Sequence, residues 1–144
     1  MYKKILVPLD GSKRAEAILP HVEELALAGK AKVIFLQIIE VAQMTVGAEF
    51  VFQSPEDYDA LKKEAENYLN GVKGEFHEKG IDARIHTSHG PVVEAIIETA
   101  GREDADLIAV ASHGRTGLSR VFYGSVAAGV LHRIDRPLLI IRSV

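Results

Sequence analysis

Residues 4–12 read K-I-L-V-P-L-D-G-S, and the fold is decided there. Ile5 to Leu9 is a nearly continuous apolar run, the pattern of a strand covered on both faces, and Asp10-Gly11-Ser12 closes it with a turn. Such a strand requires helices on either side of its sheet, and the chain supplies the first at once. Ser12 is placed to cap a helix whose apolar positions Ala15, Ile18, Leu19, Val22, Leu25 and Ala26 recur at spacings of three and four, with Gly29 just past its end. Pro20 falls inside this pattern. It predicts a bend there, because proline has no N–H to donate and its ring crowds the preceding turn.

Outward from this unit the same alternation continues. Lys32 to Glu40, K-V-I-F-L-Q-I-I-E, reads as a second buried strand, rich in β-branched and aromatic residues. Val41 to Gln53 has no clear period. Ser54-Pro55-Glu56-Asp57 combines a capping serine, a first-turn proline and two acids, and opens a long helix with the stripe Tyr58, Leu61, Ala65, Leu69, Val72 and Phe76, ended by Gly80. Asp82 to Ser88 reads as a strand, Val92 to Gly101 as a helix, Asp106 to Ser112 as a strand, Val126 to Ile134 as a helix and Pro137 to Arg142 as the last strand. Five strands alternating with four helices call for an α/β fold, a Rossmann-like three-layer sandwich with a five-stranded parallel sheet, since right-handed crossovers place helices on both faces. Ligands in such sheets bind beyond the carboxyl ends of the strands, where strand order reverses, so the loops after Asp10, Ile39, Ser88 and Ser112 carry the interest.

Composition limits what those loops can do. The 144 residues suit a single domain over 1–144, and the absence of cysteine removes thiol catalysis, Cys-ligated zinc and a disulfide scaffold. A net charge of −3 offers no basic face to a phosphate backbone, so nucleic acid is not an expected partner. Asp10 interrupts the opening apolar run before it reaches a secretory core, and Gln37, Glu40 and Gln43 break the longest apolar region. The expectation is a cytoplasmic protein with no membrane partner. His86 and His89 point to opposite faces of an extended segment, and His21, His77 and His132 have no partner at ligand spacing, so no metal site of the protein's own is expected. His113 reads as a surface imidazole.

The richest segment is Ala109 to Val126, A-V-A-S-H-G-R-T-G-L-S-R-V-F-Y-G-S-V. It leaves a buried strand, passes Gly114 and Gly117, and enters a helix at Gly124-Ser125. Glycines let backbone approach a ligand, and free N–H groups at a helix start favour an anion, as in a phosphate cradle. Read alone, the same residues serve equally as turns and a cap. Asp10 is likewise open to two readings, a site carboxylate at a strand end or a turn acid closing an Asx turn with its own backbone.

With these segments in view, the sequence resembles the universal stress protein family over essentially its whole length. ATP-binding members of that family carry Gly, two residues, Gly, nine residues, then Gly followed by Ser or Thr. Here Gly114, the nine residues Arg115 to Tyr123 and Gly124-Ser125 match, and the first position departs, being Ala111. If that position required positive φ, the methyl group would cost more than about 1 kcal/mol. The resemblance implies an adenine-nucleotide-hydrolase-like fold and an ATP site. In it Asp10 faces the adenosine, Ile38 offers backbone groups to the adenine edge, and Pro8 packs nearby. Gly114, Arg115, Gly124 and Ser125 contact the phosphates, with charge added by Arg120, and Ala111 and Val126 belong to the same ATP site. It implies ATP with Mg2+ or Mn2+ as the bound group and a homodimer formed through Pro137 to Arg142. Gly90, after the third strand, is expected to border the pocket.

Other classes fail on particular residues. A nicotinamide dehydrogenase needs G-x-G-x-x-G after the first strand, where this chain has Gly11 alone. A phosphoacceptor receiver needs paired acids there and an aspartate after the third strand, which instead ends in Thr87-Ser88-His89. An ATP pyrophosphatase needs Ser-Gly-Gly, and an acyl-transfer enzyme needs a G-x-S-x-G elbow; neither is present. Two expectations remain. One is a stress protein that binds ATP as a ligand and switch, not an enzyme beyond slow hydrolysis. The other is a nucleotide-free regulatory or scaffold homodimer of the same family, favoured by Ala111.

Overall fold

The computed structural model describes residues 1–40, 43–46, 49–52, 55–113 and 125–143. The strands, in chain order, are β1 (Lys4–Pro8), β2 (Lys32–Ile39), β3 (Gln43–Val46), β4 (Glu49–Phe52), β5 (Ala83–His89), β6 (Leu107–His113) and β7 (Leu138–Ser143). The helices are α1 (Leu19–Gly29), α2 (Pro55–Glu78), α3 (Val92–Arg102) and α4 (Ser125–Arg133). The main sheet has the order β5-β2-β1-β6-β7, and every neighbouring pair in it is parallel. The expected five-stranded α/β fold is therefore the observed one.

Strand alternation divides the core into two layers. Ile5, Val7, Val33 and Phe35 face one side and pack with Ile18 and Val22 and with Leu69, Val72 and Phe76 of α2. Leu6, Ile34, Leu36, Ile108 and Val110 face the other and pack with Ile96 and Ala100 of α3 and Ala127 and Val130 of α4. The rings of Phe35 and Phe76 meet edge to face at 4.9 Å, joining β2 to α2 at the end of the long stripe. At the other end of β1, the Asp106 carboxylate accepts the backbone N–H groups of Lys3 and Lys4 at 2.9 and 3.0 Å, tying the chain's entry to β6.

Three local expectations are corrected. The helix expected from Ser12 onward is two pieces, a 3₁₀ turn at Ala15–Ile18 followed by α1. Pro20 is the second residue of α1, where its missing N–H would have had no helical partner, so it begins the α-helix instead of bending one. Gly29 is the last helical residue, not the cap. The left-handed cap is Lys30, at φ 52, and glycine is held one position earlier because a Cβ at 29 would lie 2.8 Å from the carbonyl oxygen of Tyr2. Beyond these corrections, the aperiodic stretch Val41 to Gln53 contains β3 and β4, an antiparallel pair with Gln43 opposite Phe52 and Val46 opposite Glu49. Each strand has only four residues, too few to establish a period.

β1 and β6 are neighbours at the point where strand order reverses, yet their register is confined to Ile5 with Leu107 and Leu6 with Ile108. Pro8 explains why the ladder stops. Leu9 donates its N–H to Leu36 of β2 at 2.8 Å, so by alternation the amide position of Pro8 faces β6, and proline has no hydrogen to donate there. The two strand ends part, leaving a crevice between them. Among the described residues, no helix is long and apolar enough to cross a membrane.

Candidate functional site

The crevice has a volume of about 400 Å³, within the range of small-molecule sites. One wall is apolar and comes from the α3/α4 side of the sheet: Ile38, Val92, Ile96, Val110, Val126 and Ala127. Opposite lie the end of β1, with Pro8, Leu9 and Asp10, and Ala15 of the 3₁₀ turn. Gln37 and Glu40 contribute polar groups from the end of β2. An apolar wall facing a few polar groups suits a ring system with polar edges.

Asp10 occupies its place through local geometry. Its Oδ1 accepts the Ser12 N–H at 2.9 Å and the Ser12 hydroxyl at 2.6 Å, and Ser12 Oγ in turn accepts the Ala15 N–H at 3.2 Å. Gly11 supplies the positive φ, 84°, that lets the chain turn between them. The two readings of Asp10 are thus compatible. It closes an Asx turn and lines the crevice, and the turn is what holds the carboxylate at the crevice mouth.

Ala111 corrects the expectation of backbone strain. It lies within β6 opposite Ile141, and the non-glycine residues at positive φ among those described are Lys30 and Asp104. The methyl group costs nothing in backbone conformation and simply forms part of the crevice wall. Pro8, Asp10, Ile38 and Val126 line the same crevice. Ser125 opens α4 and is exposed, beside the wall but not among the lining residues. Gly114, Arg115, Arg120 and Gly124 lie outside the described residues. Gly90 makes the turn between β5 and α3 at φ 109 and is not a wall of the crevice. Among the described residues, no group of three or more His, Asp or Glu side chains could hold a metal ion.

Sequence reasoning missed Gln37, Glu40, Val92, Ile96 and Val110. The four apolar or acidic ones carried no signal that separated them from ordinary core or surface. Gln37 did carry one: it is the single polar residue between Val33 and Ile39, in a strand covered on both faces. Its Oε1 is buried and accepts no hydrogen bond from any described residue. A second cavity of about 390 Å³ lies on the α2 side of the same strand end, and Asp10, Gln37, Ile38 and Glu40 border both. There Tyr68 donates its hydroxyl to Glu16 at 2.7 Å. Burial, this hydrogen bond and the surrounding carboxylates hold the phenol's pKa well above its usual value.

Comparison with known proteins gives one consistent answer. The profile of the Universal stress protein family matches residues 1–142. Universal stress protein MJ0577 of Methanocaldococcus jannaschii is 30% identical over 155 aligned positions, which cover 99% of this chain and 96% of the relative. The solved structure of MJ0577 has a TM-score of 0.78 at the same 30% identity, with 99% and 96% of the two chains covered. A universal stress protein solved in complex with cAMP has a TM-score of 0.74 at 23% identity, covering 99% of this chain and 98% of its own. Another, from Archaeoglobus fulgidus in complex with dAMP, has a TM-score of 0.69 at 22% identity, covering 97% and 98%. These last two likenesses are of fold.

Proposed function

The chain belongs to the universal stress protein family, and from that membership we propose that it is a single-domain receptor for ATP, which it uses as a ligand and switch in a stress response. The observation that carries this reading is the convergence of Pro8, Asp10, Ile38, Ala111 and Val126 on one crevice at the strand-order reversal. Its apolar wall accepts the base, Ile38 offers backbone groups at the strand end, and Asp10 faces the sugar. The amino end of α4 supplies N–H groups and a favourable dipole for phosphate, next to Val126. Gly114, Arg115, Gly124 and Ser125 complete the cradle in this reading, and Mg2+ or Mn2+ accompanies the phosphates with few protein ligands. The same fold holds cAMP in one solved universal stress protein and dAMP in another.

Hydrolysis is at most slow in this reading, because among the described residues none is evidently placed as a general base toward the phosphates. The working form is a cytoplasmic homodimer. β7 is an edge strand, paired with β6 alone in the sheet order, and an apolar edge of this kind is best covered by a second copy. The nucleotide-free scaffold is favoured by Ala111 in place of the motif glycine, and the position of Ala111 within β6, away from positive φ, removes only the backbone-strain part of that argument.

The test is thermal unfolding with and without Mg-ATP. At a hundredfold excess over Kd, bound ligand adds about 2.7 kcal/mol, a rise of roughly 10 °C for a chain of this size. No rise at millimolar ATP overturns the proposal in favour of the scaffold. A monomer by light scattering at micromolar concentration overturns the dimer.

A further inference from the structure

Resting on the reading of the crevice as an adenine-nucleotide site with Asp10 at the sugar, we infer that Tyr68, which does not line that crevice, is a positioning residue for it: its hydroxyl anchors the 3₁₀ turn that fixes the Asp10 carboxylate. The ring and the hydroxyl of Tyr68 have separate roles. The ring is partly buried and packs against the core layer that holds Leu69, Val72 and Phe76, a place phenylalanine would fill equally. The hydroxyl instead reaches Glu16, 52 residues earlier in the chain, and donates to its Oε2 at 2.7 Å. Glu16 is the second residue of the 3₁₀ turn Ala15–Ile18. The first, Ala15, lines the crevice and gives its N–H to Ser12 Oγ, and Ser12 gives its own N–H and hydroxyl to Asp10 Oδ1. A connected path therefore runs from α2 to the crevice carboxylate, made of hydrogen bonds and the one peptide bond between Ala15 and Glu16.

The two ends of this path are also neighbours in space. Tyr68 and Asp10 border one cavity on the α2 side, and after burial and Glu16 the Asp10 charge is among the causes that raise the phenol's pKa. Asp10 thus stands between the crevice on one side and Tyr68 on the other. A 3₁₀ turn of four residues has poor hydrogen-bond geometry of its own, and this one has no side-chain cap at Arg14. Its position is set by its ties: Ile18 in the core, Ser12 at Ala15 and Tyr68 at Glu16. Lys13, 4.0 Å from Glu16, belongs to the same segment and ties it to nothing else. A carboxylate turned slightly away loses its hydrogen bonds to sugar hydroxyls, whose strength depends steeply on angle, while apolar contacts with the base persist. The effect of Tyr68 should therefore be confined to those hydroxyls.

The test is calorimetric titration of the wild type, Tyr68→Phe, Glu16→Ala and Glu16→Gln with ATP and with 2′,3′-dideoxy-ATP, which lacks both sugar hydroxyls. The wild type should bind ATP about tenfold more tightly than the analogue, the worth of hydrogen bonding to a charged acceptor. Tyr68→Phe should weaken ATP roughly threefold to fivefold and leave the analogue unchanged. Glu16→Ala should do the same, and combining the two should cost no more than either, since both break one link. Glu16→Gln, whose side-chain oxygen still accepts from the phenol, should bind ATP as the wild type does. A purely structural role moves both nucleotides alike or neither, so either result in Tyr68→Phe overturns this inference alone. If Tyr68→Phe does not fold, the contrast between Glu16→Ala and Glu16→Gln decides, and equal ATP affinity in those two overturns the inference. A wild type that binds both nucleotides equally well removes Asp10 from the sugar and this inference with it. Binding of neither overturns the reading of the crevice as a whole.

Discussion

Asp10 and Ser12 are linked twice: Asp10 Oδ1 accepts the Ser12 amide at 2.9 Å and the Ser12 hydroxyl at 2.6 Å. The hydroxyl continues the chain to the Ala15 N–H, so one turn both orients the crevice carboxylate and starts the segment leading into α1. Ser12→Ala should therefore affect two properties together. Loss of a capping oxygen costs about 1 kcal/mol of stability, read by denaturant unfolding. ATP affinity should fall as well, roughly threefold to tenfold, because Asp10 loses the partner that fixes its orientation. Unfolding that weakens while nucleotide affinity stays at the wild-type value would separate the turn from the site.

The packing of α3 on α4 depends on a residue with no side chain. A Cβ on Gly129 would lie 2.7 Å from Val93 Cγ2, and valine cannot swing aside as a long side chain can. Gly129→Ala should destabilise by about 1–3 kcal/mol through overpacking, despite alanine's better helix propensity. Val93→Ala in the same chain should recover much of the loss. Because Val126 and Ala127 of α4 and Val92 of α3 line the crevice, the single variant should also weaken ATP binding.

At the end of α1 two adjacent substitutions should act in opposite directions. Lys30→Gly relieves a left-handed backbone, φ 52, and should stabilise by about 0.5–1 kcal/mol, raising the melting temperature by a few degrees. Gly29→Ala places a methyl 2.8 Å from the Tyr2 carbonyl oxygen, a backbone atom at the entry to β1, and should lower it. Melting curves of the two variants give the check.

The raised pKa of Tyr68 makes a part of the fold's stability fall away at alkaline pH. Burial comes first among its causes, followed by the hydrogen bond to Glu16 and the neighbouring carboxylates, all of which disfavour the phenolate. The unfolded chain then loses this proton more readily than the native one. Stability from Tyr68 is complete below the unfolded value of about 10 and declines as pH rises above it toward the folded value. Tyr68→Phe should flatten that alkaline decline in urea midpoints measured between pH 9 and 11, while lowering stability at neutral pH by about 1 kcal/mol for the lost hydrogen bond.

What the sequence alone determined is what local patterning can express. The apolar runs at Ile5–Leu9, Val33–Ile39 and Leu107–Val110 and the stripe from Tyr58 to Phe76 identify strands and a helix, and strict alternation then leaves little choice but a parallel sheet with covered faces. From that topology follows the crevice beyond the strand ends, and Asp10, Ile38 and Ala111 stand at those ends by position alone. Tertiary structure decided everything that rests on an approach between residues distant in the chain. Gly29 is where it is because Tyr2 passes beside it, Gly129 because of Val93, and neither partner is marked in the local sequence. The motif position of Ala111 suggests a glycine, and only the ladder with β7 shows its backbone to be extended. Gln37 is a polar interruption of an apolar strand, but only three-dimensional packing removes Oε1 from water and leaves it without a donor among the described residues. Burial is a property of the assembled layers, and a chain read residue by residue carries it only where the pattern is periodic.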